Sequence, residues 1–251
     1  MGEINAAVTV KNLVKKYGDF QALKGIDFDV AKGEIFTFLG PNGAGKTTTV
    51  KILTGILKPT SGFAQILGLD AVKNIGEIKK EIGLVPDQPY VYPYLTAFEY
   101  MRIVGDIYGV PIEKQKLKIP ELFEMFDLKD RSGEIVDSFS HGMKQKLVIS
   151  SVLLHEPKIM FLDEPLVGLD PKSARLVKDL FKKLSENGVT IFMCTHVLEI
   201  AQKLASRICI VNEGKILALN SFDNLKKTVS EDADLEAVYL KLTENDGKER
   251  S

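Results

Sequence analysis

Apolar and polar residues alternate through the opening of the chain, in Ala7-Val8-Thr9-Val10 and again in Ile26-Asp27-Phe28-Asp29-Val30. A period of two places one face of a strand on a core and the other in water, so this stretch predicts half-buried antiparallel strands. The pattern then changes. Glu34-Ile35-Phe36-Thr37-Phe38-Leu39 is an almost continuous apolar run that ends in a glycine-rich turn, and Lys46 to Leu53 continues at helical spacing. Further short apolar runs follow at Ile82–Val85, Ile159–Leu162 and Thr190–Met193, with helical patterns between them. Buried strands alternating with helices predict a parallel sheet with crossover connections. Between Pro86 and Glu156 the texture turns helical: Thr96 to Tyr108, Lys114 to Phe126 interrupted by Pro120, and Gly142 to Leu154. That stretch reads as a helical lobe inserted into the sheet domain. A hairpin over Val211–Ile216, a short helix near Phe222 and an amphipathic helix from Leu235 to Leu242 complete the pattern. The charged end, Asn245 to Ser251, is expected to be disordered.

Composition narrows the classes. With 251 residues, 45% of them hydrophobic, the chain can bury a full core. Its 33 basic and 34 acidic side chains nearly cancel, which disfavours a nucleic-acid partner, since such binders carry a basic excess or stripe. Cys194 and Cys209 lie in apolar strand-like runs at a spacing that suits neither zinc nor a redox motif, so buried inert thiols are expected. The start lacks the apolar core of a signal peptide. No apolar run approaches the roughly 18 residues of a membrane span. The expectation is a soluble cytoplasmic chain; any membrane action requires a partner that supplies the spanning part.

The turn at Gly40-Pro41-Asn42-Gly43-Ala44-Gly45-Lys46-Thr47-Thr48 fits G-x-x-x-x-G-K-[ST]. Backbone N–H groups of such a turn wrap phosphate oxygens, Lys46 reaches the β- and γ-phosphates, and the Thr47 hydroxyl holds Mg²⁺. A strand before it and a helix after it supply the context that the chemistry needs. The fold expected is therefore α/β, a P-loop NTPase core with a mixed, largely parallel sheet, an N-terminal antiparallel portion and the inserted lobe. Residues 1–228 form one domain, with the core at about 1–86 and 156–228 around a lobe at about 87–155. Residues 229–251 follow as a helix and tail. Phe161-Leu162-Asp163-Glu164-Pro165 puts two acids at a strand end, where open α/β sheets present ligand-binding groups. Asp163 is placed to bind Mg²⁺, and Glu164 to take a proton from attacking water. His196 closes another strand and should emerge at the same sheet edge. Ser140 is a good N-cap for the helix that starts there, and Gly142 leaves its first turn open to close approach. That helix N-terminus and the P-loop do not easily serve one nucleotide within one monomer, which suggests nucleotide held between two subunits.

Over nearly its whole length the chain resembles the nucleotide-binding subunit of ATP-binding cassette (ABC) transporters. The resemblance rests on ordered motifs: GPNGAGKTT at Gly40 resembles the Walker A segment, and FSHGMKQK at Phe139 the family signature. IMFLDEP at Ile159 resembles Walker B, Val167-Gly168-Leu169-Asp170 the D-loop, and Thr195-His196 the H-loop. It implies that Tyr17 stacks on adenine, that His196 contacts the γ-phosphate and that Asp170 couples two sites. It further implies that two copies, or a copy and a homologous subunit, close around two ATP. A separate membrane-spanning subunit completes the machine, with this chain peripheral on the inner face of the membrane. His141 and Met143 replace the usual glycine and glutamine of the signature, a variation similar to the branch serving compact drug- and peptide-resistance exporters. Counting back from Tyr92-Pro93-x-Leu95-Thr96 puts Asp87 at the family's glutamine position, and a one-residue shift puts Gln88 there. A glutamine offers both a carbonyl to Mg²⁺ and an amide N–H to water, so Gln88 is expected to face the metal and Asp87 the lobe or the membrane partner. The cluster Tyr90-Val91-Tyr92-Pro93-Tyr94 reads either as core or, by the resemblance, as part of a groove that receives a partner helix. The rival readings are a soluble ABC ATPase acting on ribosomes or DNA, against which stand a single cassette and no heptad run, and a non-hydrolysing regulatory subunit.

Overall fold

The structure is a computed structural model and describes residues 6–227, 229–230 and 233–248. The chain opens with β1 (Ala6–Tyr17) and β2 (Phe20–Ala31), a long hairpin closed by the Tyr17–Phe20 pair. β3 (Ile35–Leu39) runs into the glycine turn and α1 (Lys46–Leu53). β4 (Ser61–Ile66), β5 (Leu69–Asp70), α2 (Ile75–Glu81) and β6 (Ile82–Val85) follow. The lobe then rises as α3 (Ala97–Ile107), α4 (Ile112–Met125) and α5 (His141–Leu154) before the chain returns at β7 (Ile159–Asp163). α6 (Pro171–Glu186), β8 (Thr190–Thr195), α7 (Leu198–Leu204), β9 (Arg207–Asn212), β10 (Lys215–Asn220), α8 (Phe222–Lys226) and α9 (Leu235–Lys248) complete it.

Among the described residues the strands form two sheets. One is antiparallel, in the order β2-β1-β4-β5; the other runs β10-β9-β3-β8-β7-β6 and is parallel except for the β9–β10 hairpin. An aromatic cluster joins them. Phe28 of β2 meets Phe36, Phe38 and Phe192 of the mixed sheet with ring centroids 5.5–5.9 Å apart, and Phe161 extends the cluster through Phe192 at 5.6 Å. Large rings at these spacings dominate the apolar area removed from water. On the opposite face of the sheet, Met160, Leu162, Ile191 and Met193 share one core with Tyr100, Met101, Phe123, Phe126 and Leu147 of the lobe. The lobe is thus packed on the sheet rather than hung from it.

Two expectations need correction. Pro120 lies inside α4 and does not interrupt it. The proline forfeits one helix hydrogen bond, but Ile119, Leu122 and Phe123 are buried, and Gln115 bonds Val110 O and Asp106 Oδ1, which holds both halves in place. The last helix runs past Leu242 to Lys248, so the backbone at 245–248 is helical rather than disordered; residues 249–251 lie outside the described residues. The antiparallel sheet also recruits β4 and β5, for which the hydrophobic pattern offered no reading.

Candidate functional site

The carboxyl ends of β3, β7 and β8 lie side by side, paired in register as Leu39↔Thr195 and Asp163↔Cys194. This register brings three segments far apart in sequence to one sheet edge. β3 delivers the glycine turn. Gly45 holds φ at 103°, a left-handed conformation that a side chain would strain, and it turns the chain so that α1 begins at Lys46. The first-turn N–H groups of α1 have no place in the helix ladder and point at the turn. Lys46 folds back over it, donating to Gly40 O at 2.8 Å and Pro41 O at 3.1 Å. Gly40 N in turn donates to Thr195 O at 3.3 Å, which ties the turn to β8.

Glu164 follows β7. Its N–H donates to Cys194 O at 3.0 Å, its Oε2 accepts from the Thr195 hydroxyl at 3.0 Å, and its Oε1 meets His196 Nδ1 at 2.8 Å and Lys46 Nζ at 3.8 Å. Thr195 also accepts from Val197 N at 3.1 Å, so the hydroxyl is held in place. A carboxylate has about four lone-pair positions, which leaves room for a water proton. The structure brings Glu164, His196 and Lys46 together at this edge; sequence reasoning gave Thr195 no task, and its position beside His196 was the only hint.

Asp163 is buried beneath this edge. Burial pushes its pKa up, and the negative charges of Asp87 and Glu164 add to that; Thr47 and Lys46 oppose it by favouring the ionised form. Asp87 borders the same cavity as Asp163, and its charge acts on that carboxyl. Gln88 lines the same cavity. Thr47 and Asp163, with Asp87 or Gln88 beside them, form an all-oxygen set that suits a hard cation. Among the described residues no group of three or more His, Cys, Asp or Glu side chains is placed to hold a metal ion.

Beside the turn, Tyr17, Phe20, Ala22, Asn42, Gly43, Gly45, Lys46, Thr47 and Thr48 line a cleft of about 200 Å³. Tyr17 and Phe20 are exposed aromatic walls, with Lys15 Nζ 5.1 Å from the Tyr17 ring centroid. None of residues 139–143 lines this cleft. Ser140 caps α5, its Oγ accepting from Met143 N at 3.3 Å. Asp170 caps α6: it accepts from Ser173 Oγ at 2.5 Å and Ser173 N at 3.0 Å, which lowers its carboxyl to about 2. The buried Gln145 of α5 donates to Pro165 O at 3.3 Å, a link from the helix to the loop after Glu164 that the sequence did not announce.

A larger groove of about 570 Å³ opens between the sheet and the lobe. Its lining joins the polar Thr47, Asp163, Asp87 and Gln88 to Ile56, Tyr90, Tyr100, Val104, Tyr108, Val152 and His155. Tyr108 and His155 stack with centroids 3.7 Å apart, and burial pushes the His155 pKa down, so the ring is neutral at neutral pH. Tyr90, Tyr92 and Tyr94 are 80%, 62% and 89% exposed, so these tyrosines are not core. Both cysteines are buried with thiols pushed far up by burial, as inert thiols are.

Comparison with known proteins places this geometry. Residues 23–167 match the family model described as ABC transporter. The chain is 37% identical over 248 residues to the "Probable multidrug ABC transporter ATP-binding protein YbhF" of Escherichia coli (strain K12), covering 97% of this chain and 43% of the relative. It is 39% identical over 225 residues to the bacitracin transport ATP-binding protein BcrA of Bacillus licheniformis, covering 89% and 72%. The chain thus spans less than half of the first relative and about three quarters of the second. Among solved structures, an ATP binding subunit of an ABC transporter superimposes with a TM-score of 0.90 at 29% identity, covering 94% of this chain and 99% of that one. A dimeric ATP-binding cassette in a post-hydrolysis state, bound to ADP and Pi, matches with a TM-score of 0.79 at 27% identity, covering 85% and 98%. The chain belongs to the ABC transporter family, within which its similarity is to ATP-binding subunits.

Proposed function

We propose that this chain binds and hydrolyses ATP as the motor subunit of an ABC exporter. The observation that carries the reading is the grip on Glu164 at the sheet edge, by Thr195, His196 and Lys46 together. The P-loop N–H groups and Lys46 hold the phosphates, and Tyr17 with Phe20 offers the base a stacking wall. Mg²⁺, held by Thr47 and Asp163 with Gln88 or Asp87 beside them, supplies charge neutralisation on the phosphates when bound. Glu164 takes the proton of the attacking water, and His196 fixes the carboxylate and reaches toward the γ-phosphate. Ser140 and Gly142 do not reach their own subunit's cleft, so the N-terminus of α5 serves the nucleotide of a second copy or a homologous subunit. The dimeric cassette that matches this fold supports that arrangement.

No helix among the described residues is long and apolar enough to cross a membrane. Membership of the ABC transporter family supports a membrane-spanning subunit that supplies the path, with this chain working at the membrane's inner, cytoplasmic face. The 570 Å³ groove, whose lining includes Tyr90, Tyr100 and Tyr108, suits an amphipathic helix from that subunit. Relatives named for multidrug and bacitracin transport support export. The balanced charge of the chain argues against a nucleic-acid partner.

Phosphate release by the purified chain tests the reading. Glu164→Gln should retain ATP binding, lose about 10²- to 10⁴-fold in turnover, and elute as an ATP-dependent dimer in size-exclusion chromatography. A variant that turns over at the parent rate removes Glu164 from the role of base.

A further inference from the structure

α5 does more than present Ser140. Its first two turns run along the segment from Pro165 to Asp170 and touch it at successive helical positions. Gly142 lies so close that a Cβ there would stand 2.7 Å from Gly168 O. Gly168 itself has φ at 77°, and a Cβ on it would stand 2.3 Å from Cδ2 and 3.1 Å from Nε2 of His141. The Cδ2 edge of the imidazole therefore occupies the space that any side chain at 168 would need. One turn further along, Gln145 donates to Pro165 O and Lys146 Nζ stands 3.8 Å from Asp170 Oδ2. Met143 and Leu169 pack into the same core. Residues at i and i+4 of a helix share one face, so 141–142 and 145–146 form a continuous track for the loop.

We propose that His141 is a positioning residue whose ring, seated on Gly168, makes the N-terminus of α5 and the Gly168–Asp170 loop a single presenting surface for the neighbouring subunit. The inference rests on the composite-site reading above. Without the ring, Gly168 loses its contact with residue 141 while that with Gly142 remains, and the loop can move while Ser140 stays in place. The phosphate-binding helix end and Asp170 would then reach the second subunit out of register. Misplacement of a positioning group lowers the rate of the chemical step more than it weakens ground-state binding.

A double-mutant cycle in steady-state ATPase, with melting temperature recorded for each variant, tests it. His141→Gly should lower kcat about fivefold with KM for ATP within about twofold, and His141→Phe, which retains a flat ring, should stay within about twofold of the parent. Gly168→Ala should lower kcat about tenfold in the His141 background, because the new methyl expels the ring. In the His141→Gly background it should cost only about twofold more, from backbone strain. Equal losses from Gly168→Ala in both backgrounds, or a Phe variant as slow as the Gly variant, overturn the seat. The composite site is read separately: if Glu164→Gln with native His141 forms no ATP-dependent dimer, that reading fails, whatever the cycle shows.

Discussion

Glu164 holds φ at 50°, a left-handed backbone that costs a bulky L residue on the order of 1–2 kcal/mol. The cost is met by three bonds: Glu164 N to Cys194 O, and the two side-chain bonds to Thr195 and His196. The strained turn aims the carboxylate back across the end of β8, where a relaxed residue would point away. Lys46, Asp163 and Glu164 were legible as chemistry because P-loop and paired-acid motifs are short and local, whereas His196 drew its role from the family resemblance alone. The grip of Thr195 on Glu164 was not, because it links side chains 31 positions apart. The Asp87–Gln88 pair shows the same limit. Spacing left either residue open; the fold puts the Asp87 charge within reach of Asp163. Asp87→Ala should lower basal turnover about tenfold and shift the Mg²⁺ concentration for half-maximal rate, while Gln88→Ala should stay within about threefold. A Mg²⁺ titration of phosphate release decides it, and the reverse order of effects would assign Gln88 to the metal.

Among elements, those with strong periodicity stood out in the sequence. β3, β7 and β8 are buried along their whole length and read as apolar runs, and α3 read as a helical pattern. The structure adds a capping box at its start: Thr96 Oγ1 accepts from Glu99 N at 3.1 Å and Glu99 Oε2 accepts from Thr96 N at 2.8 Å. This cap starts the helix that carries Tyr100 and Val104 into the groove wall. Thr96→Ala should destabilise the protein by about 1 kcal/mol and Thr96→Ser by much less, measured by urea unfolding. Equal losses for both would show that the cap hydroxyl contributes nothing. β4 escaped because its first residues, Ser61-Gly62-Phe63, are exposed, and only pairing with β1, as in Thr9↔Gln65 and Val8↔Ile66, makes it a strand. Pro120 misled for the opposite reason: a local helix-breaker lost to burial of its neighbours, a tertiary effect that propensity does not contain.

At the scale of the whole molecule, the cleft beside Tyr17 and the N-terminus of α5 belong to different regions of one subunit. Lys46→Ala and Ser140→Arg should each abolish turnover alone, since each spoils both composite sites of a symmetric dimer. An equal mixture should recover roughly a quarter of the parent rate, as half the dimers are mixed and each of those carries one intact site of two. A mixture as inactive as its components, with crosslinking between Cys pairs at positions 43 and 140 also unresponsive to ATP, would rule out the face-to-face dimer. The sequence alone determined the α/β alternation, the phosphate turn, the paired acids and the absence of a long apolar run, because periodicity and strand–turn–helix geometry act between near neighbours. Only the tertiary structure decided which acid approaches Asp163, which hydroxyl grips Glu164, that the tyrosines at 90, 92 and 94 face outward, and that His141 rests on Gly168. Each of those depends on the register of parallel strands and on a lobe packed against the sheet. Contacts of that kind are set by long-range burial, which a pattern read along the chain does not encode.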